Sequence, residues 1–483
     1  MSGKTILVWF RNDLRIADNE VLTEAVNKGD AILPVYCFDP FYYRTTVFST
    51  QKTGNFRARF INESVADLRQ SLQNLGGDLL IRLGDPAVII PELAQQYQIS
   101  EVYHHREVAF EETEISAKVE AALWKIKINL KHFIGHTLHN KEDLPFPIKD
   151  IPDAFSVFRK KVERDSQVRR CAASPQKITT PAITDAGEIP ALEELGLTEP
   201  FDDERAIMRF LGGEKEGLKQ LNNFVGDENQ DKNSKTNTLD LGADFANTMS
   251  TWLSMGCISP RQIYWQVQQY EKAHGSNALT HAIMLELLWR DYYRFMFKKH
   301  GDQFFQKEGF KGQTPPEAEN QDELFAKWKN GQTGVPFVDA VMREINATGY
   351  TSIRGRYNAA SFLVRDLQVN WTCGAAYFEE KLIDYSPATN WGNWAAIAGV
   401  GNDPKENRNL NVIKQAGEVD AKGQYVKTWI PELNAIPGKQ IHTPFFLSEA
   451  ELAAYSVKLG NDYPELVIEP KWQKLVDKNA NIF

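Results

Sequence analysis

Two tryptophans three residues apart, Trp391 and Trp394, end the stretch DYSPATNWGNW that begins at Asp384. The Asp, Ser, Pro, Thr, Asn and Gly around them favour turns and helix caps and build little core. Hydrophobic anchoring is the ordinary use of a tryptophan, but indole is also readily oxidised, and electron transfer is the second chemistry open to this pair. A second concentration is ELLWRDYYRFMFKKH (286–300), where Glu286, Trp289, Arg290 and Tyr293 recur at spacings of three or four and share one helix face. A carboxylate, an indole and a guanidinium on one face could line a polar cavity; the plainer alternative is an exposed helix with an intrahelical ion pair. In RGRYNAASFLVRDLQVNW (354–371), Arg354 and Arg356 lead into an apolar helix with Trp371 at its far end. Two cations near a helix start oppose the macrodipole and call for an anionic partner, either Asp384 or a phosphate.

The elements that must position these residues divide the chain in two. Over the first ~135 residues short apolar runs alternate with amphipathic segments, the pattern of a doubly wound parallel sheet. The strands expected are 5–10, 31–38, 78–83, 101–105 and 130–135, and the clearest helix between them is 56–75. No GxGxxG follows the first strand and no GxxxxGK[ST] occurs, which disfavours dinucleotide dehydrogenases and P-loop enzymes. Prolines at 145, 147, 152, 175, 181, 190 and 200 mark an irregular connector with a short helix. From about 205 to 435 helical patterns dominate, interrupted by the polar loop 226–238. The fold class expected is α/β plus all-α: residues 1–138, a linker over 139–204, a helical domain over 205–445 and an extension over 446–483.

At 483 residues more than one core is expected. A net charge of −9 argues against coating nucleic acid through bulk positive charge, but leaves room for a local basic groove. The four cysteines form no CxxC pair, so neither a metal cluster nor a disulfide framework is indicated. With no run of ~20 apolar residues and no leader pattern in MSGKTILVWF, a monomer off the membrane is expected, cytoplasmic or, if a targeting segment has been removed, organellar.

A longer series of motifs occurs in order: VWFRNDLR (8–15), YCFDP (36–40), KTGNFRARF (52–60), IPDAFSVFRKKVE (151–163), WLSMGCISPR (252–261), ELLWRDYYRF (286–295), GQTGVPFVDA (331–340), RGR (354–356), NWGNW (390–394), GVGNDP (399–404) and IPEL (430–433). From about residue 5 to 445 the chain resembles the cryptochrome/photolyase family, and within it the DASH-type cryptochromes. The resemblance implies a non-covalent FAD in the helical domain and a methenyltetrahydrofolate antenna near the domain junction. It also implies a lyase of deoxyribodipyrimidine photo-lyase type, using blue or UV-A light on cyclobutane pyrimidine dimers, chiefly in single-stranded DNA.

Carried over position by position, Ala246, Asn247, Thr248, Met249 and Ser250 match the segment that holds the FAD phosphates, and Asn233 falls in a second phosphate segment. Arg356 and Asp384 match the pair beside the isoalloxazine, Asn390 the residue that tunes its redox state, and Glu286, Arg290, Tyr350, Tyr385 and Ser386 further cofactor neighbours. Trp394 matches the tryptophan nearest the flavin, Trp371 the next one outward, and the outermost falls near Ala318; Trp391 has no matched redox role. On the substrate side Glu286 matches the carboxylate that hydrogen-bonds the dimer, Trp289 the stacking platform, and Arg290, Ile353, Arg354, Tyr357, Arg408 and Lys414 the lesion and backbone contacts. Glu107 and Glu111 are the antenna carboxylates implied. The chain departs from the pattern at Ile353, where an Asn is expected, at Ser386, where a second carboxylate is expected, and at Thr248, where a basic residue is expected. These departures raise an alternative: a blue-light photoreceptor with weak or no repair activity.

Overall fold

The computed structural model describes residues 3–226, 248–402 and 411–468. The expectations for Asn233, Ala246, Asn247 and Arg408, and for most of the 226–238 loop, fall outside those residues.

Five parallel strands, β1 (Thr5–Phe10), β2 (Ala31–Phe38), β3 (Leu80–Leu83), β4 (Glu101–His105) and β5 (Asn129–Phe133), form one sheet in the order β3-β2-β1-β4-β5. The order reverses between β1 and β4, the switch point beyond whose carboxyl ends ligands bind in doubly wound sheets. Side chains alternate across the sheet. Ile6, Val8 and Phe10 join a core that continues into the helical region, whereas Leu7 and Trp9 pack in a second core with Ile90, Leu93, Ile115 and Val119. One face of the sheet is thus fused to the helices below it.

Three strands occupy the spans expected, and two are shifted. The third begins at Leu80 because Asp78 accepts from Leu79 N and from Arg69 Nε (3.0 Å), finishing the turn that follows Gly76 at φ 93°. The fifth runs Asn129–Phe133, registered by Asn129 opposite Glu101 and His105 opposite Phe133, and the chain then turns away at Gly135, whose carbonyl accepts from Arg15.

The proline-rich connector carries the helix Phe155–Asp165 among short turns. Beyond it no strand occurs among the described residues. The longest helix, Ala278–His300, starts where Asn277 Oδ1 accepts from Leu279 N and Thr280 N, and ends on Lys298, Lys299 and His300 before Gly301. An Asx cap at the positive end and cations at the negative end satisfy both termini. The helix Pro387–Ala398 has proline in its first turn, where the missing N–H costs nothing, and stops at Gly399 with φ 82°. The opening stretch therefore folds mostly as a helix, with only Asp384–Ser386 left as the turn its composition suggested. No described helix is long and apolar enough to cross a membrane.

Candidate functional site

A cavity of about 300 Å3 opens among four helices, Ala278–His300, Ile353–Ser361, Trp371–Lys381 and Pro387–Ala398, together with Met249–Ser254. It gathers residues separated by more than a hundred positions: Glu286, Trp289, Arg290 and Tyr293 from the first helix, Ile353, Arg356 and Tyr357 from the second, Asn390 and Trp394 from the last, and Asp384 to Ser386 from the turn before it. The shared face read from the spacing of Glu286, Trp289, Arg290 and Tyr293 is thus the face that lines the cavity.

Local sequence explains how each group is held. Ser352 caps its helix by accepting from Gly355 N (3.0 Å), which fixes Arg356 one turn in. The Arg356 guanidinium then meets Asp384 Oδ2 at 3.0 Å, and the Ser250 hydroxyl donates to the same oxygen. Asp384 Oδ1 is buried with no hydrogen-bond partner among the described residues. A buried acceptor left unmatched costs about 1–3 kcal/mol, so this oxygen invites a donor from whatever enters. Asn390 donates from Nδ2 to the Ala375 carbonyl (3.0 Å), which fixes its amide at the cavity wall. The Arg290 guanidinium is gripped by the carbonyls of His136 and Leu253, and burial, with Arg294 nearby, lowers its pKa to about 9. The cavity thus offers a buried carboxylate acceptor, two guanidiniums and an amide within mostly apolar walls. That donor set fits a large planar, polar-edged ring bearing anionic groups, and FAD is such a molecule.

Trp394 is 2% exposed and lies edge-on to Phe378 (5.1 Å) and Trp328 (6.2 Å). Its ring packs on Gly374, where any Cβ would collide with it. Trp371 is equally buried, but its ring partner is Trp391 at 5.8 Å, and its indole N–H donates to the Lys307 carbonyl. Trp391 in turn donates to the Tyr385 hydroxyl (3.2 Å) and to Glu379 (3.3 Å), so it is wired to the cavity wall as well as packed.

Several expected residues lie elsewhere. Tyr350 is buried beneath the Arg356 guanidinium and beside Phe210 and does not line the cavity; Thr248 does not line it either. Arg354 is exposed, Lys414 is exposed 4.0 Å from Glu418, and Ile353 is 41% exposed at the cavity edge. Ala318 is tied by its N–H to the Gln368 carbonyl. Lining residues that the motifs did not single out include Ser254, Asn393 and Thr389. Asn393 accepts from the Tyr293 hydroxyl (3.0 Å), and its spacing of three from Asn390 was the available signal.

Past the switch point lies a second cavity of about 100 Å3, lined by Arg11, Asn12, Asp39, Lys52 and Arg57, which shares Ser254, Tyr385 and Ser386 with the first. Glu111 pairs with Lys52 on its rim. Glu107 is fully buried, with Arg294 at 2.8 Å, Asn12 at 3.1 Å and His136 at 3.2 Å. Burial would raise its pKa, but His136 and Arg294 outweigh that and hold it well below the usual carboxylate range. Beside it burial and the Glu107 charge push Glu112 up to about 8. Both Glu107 oxygens are therefore paired within the described residues.

Comparison with known proteins agrees with the geometry. Residues 6–181 match the family model for DNA photolyase, and residues 283–479 match that for the FAD binding domain of DNA photolyase. A cryptochrome DASH of Gloeobacter violaceus is 46% identical over 470 residues, covering 97% of this chain and 94% of that protein. A cryptochrome DASH of Danio rerio is 42% identical, covering 99% and 93%. The crystal structure of a Synechocystis cryptochrome superposes with a TM-score of 0.92 at 41% identity, covering 99% of each chain.

Proposed function

Because this chain belongs to the cryptochrome/photolyase family, in its DASH group, we propose that it is a blue/UV-A light-dependent flavoprotein that splits cyclobutane pyrimidine dimers, preferentially in single-stranded DNA. The observation that carries this reading is one cavity shared by a cofactor-type set, Arg356, Asp384, Ser250, Asn390 and Trp394, and a base-type set, Glu286 and Trp289.

FAD, when bound, supplies light absorption and the electron that dimer splitting requires. Asp384 would accept a ring N–H through its unmatched oxygen, and Arg356 and Ser250 hold that carboxylate in place. Arginine suits the role because it stays cationic when buried. Asn390 presents a fixed amide dipole, and Trp394, shielded from water, is an oxidisable side chain on the cavity wall. Glu286 would hydrogen-bond the dimer and hold a proton for it. Trp289 would stack on its rings, an interaction worth about 1–3 kcal/mol per base. A dimer must leave the base stack to reach the cavity, and a single strand lowers that cost. Arg354 and Lys414, both exposed, are suited to phosphate contacts.

Light-dependent loss of dimers from an irradiated oligonucleotide tests this reading. A second reading, a photoreceptor with weak repair, draws on Ile353, an apolar side chain at the cavity edge. It expects light-driven reduction of the cofactor without dimer cleavage.

A further inference from the structure

Trp289 is half-buried at the cavity, and a ring already lies on it. Phe155, on the connector helix Phe155–Asp165, stacks on the indole with centroids 3.5 Å apart and planes 12° from parallel. Tyr293 also lies near-parallel to the indole at 5.6 Å, and Tyr292 stands edge-on to both Phe155 and Trp289. Centred face-to-face stacking is the least favoured arrangement of two electron-rich rings, which prefer an offset or an edge-on approach. An electron-poor pyrimidine would meet the same indole face on better terms.

The segment that delivers Phe155 is anchored on both sides of a helix start that has no side-chain cap. The Asp153 carbonyl accepts from the Tyr292 hydroxyl, and its carboxylate meets Lys299 at 2.8 Å. Phe158, one turn on, is fully buried. Between these anchors the helix start at Ala154 has no side-chain cap, and its carbonyl accepts from Val157 N and Phe158 N, leaving the N–H groups before them without a side-chain partner at the cap. Phe155 is half-buried, and rotation about its Cα–Cβ bond is the smallest movement that would uncover Trp289.

We propose that Phe155 is a specificity-determining residue: its ring holds the Trp289 stacking face in the free protein, and a flipped-out dimer must displace it to reach the indole. This inference rests on the reading of Trp289 as a base platform. Ordinary strand backbone gains nothing from displacing the ring, whereas a flipped dimer does, and the cost of displacement falls on the dimer step alone.

The test measures binding of a single-stranded oligonucleotide, with and without one thymine dimer, in the dark by fluorescence anisotropy. The proteins compared are wild type, Phe155→Ala, Phe155→Leu, Trp289→Ala and the double variant Phe155→Ala/Trp289→Ala, with thermal melting as the control for folding. Phe155→Ala is expected to bind the dimer strand roughly three- to tenfold tighter and the undamaged strand unchanged, as loss of one aromatic pair allows. Phe155→Leu, which keeps the bulk and loses the ring, falls between. In the Trp289→Ala background the gain disappears. If wild type prefers the dimer strand and Trp289→Ala removes the preference, yet Phe155→Ala binds it no tighter, the gate is overturned while the platform stands. If Trp289→Ala leaves dimer preference intact, the platform itself fails and the gate with it.

Discussion

Arg356 and Asp384 lie 3.0 Å apart across the cavity wall, and the carboxylate oxygen they do not share is buried and unmatched. A pair so arranged is half of a site: the cation holds the carboxylate, and the free oxygen waits for a donor. Charged hydrogen bonds are worth about 1.5–3 kcal/mol, so Asp384→Ala should weaken FAD by about tenfold or more. Absorbance of the flavin that co-elutes on gel filtration, followed by titration with added FAD, checks it. Retention at the wild-type level would remove Asp384 from the site.

Trp394 and Gly374 make a second pair, in which the indole fills the space a side chain would need. Gly374→Ala should cost about 1–3 kcal/mol by overpacking, seen as a lower melting temperature. Trp394→Phe keeps most of the packing and removes the oxidisable ring. It should slow light-driven reduction of bound flavin while leaving FAD content unchanged, and unchanged kinetics would take Trp394 out of the electron route.

At the domain junction, Glu112 keeps its proton up to about 8 because of burial and the charge on Glu107. In the unfolded chain the same carboxyl ionises near its ordinary value of about 4.3. Between those values the unfolded state binds fewer protons, so the stability this group provides declines as pH rises towards 8. His136, held down to about 4 by burial, has finished its own contribution before pH 7. Wild type should therefore lose melting temperature between pH 7 and 9, and Glu112→Gln, which cannot ionise, should lose less. Parallel curves would show that Glu112 is already ionised at pH 7.

Much of this is legible in the sequence. Strands 5–10, 31–38 and 101–105 fall where the apolar runs place them, because β1, β2 and β4 are the inner strands, buried on both faces. The common face of Glu286, Trp289, Arg290 and Tyr293 follows from helical spacing alone. Long-range partners left no such signal. Nothing local says that Trp371 meets Trp391, that Phe155 covers Trp289 from 134 positions away, or that Glu107 is consumed by Arg294 and His136. Ser386 was read as a lost carboxylate; its position between the two cavities came only with the fold.

Light-driven repair can be measured by counting thymine dimers in an irradiated single-stranded oligonucleotide, mixed with the protein carrying fully reduced FAD and exposed to blue light. Dimers should disappear in the light and persist in the dark, and Glu286→Ala should repair far more slowly with its FAD retained. Dimers that survive illumination of fully reduced, FAD-loaded wild-type protein would contradict light-driven repair.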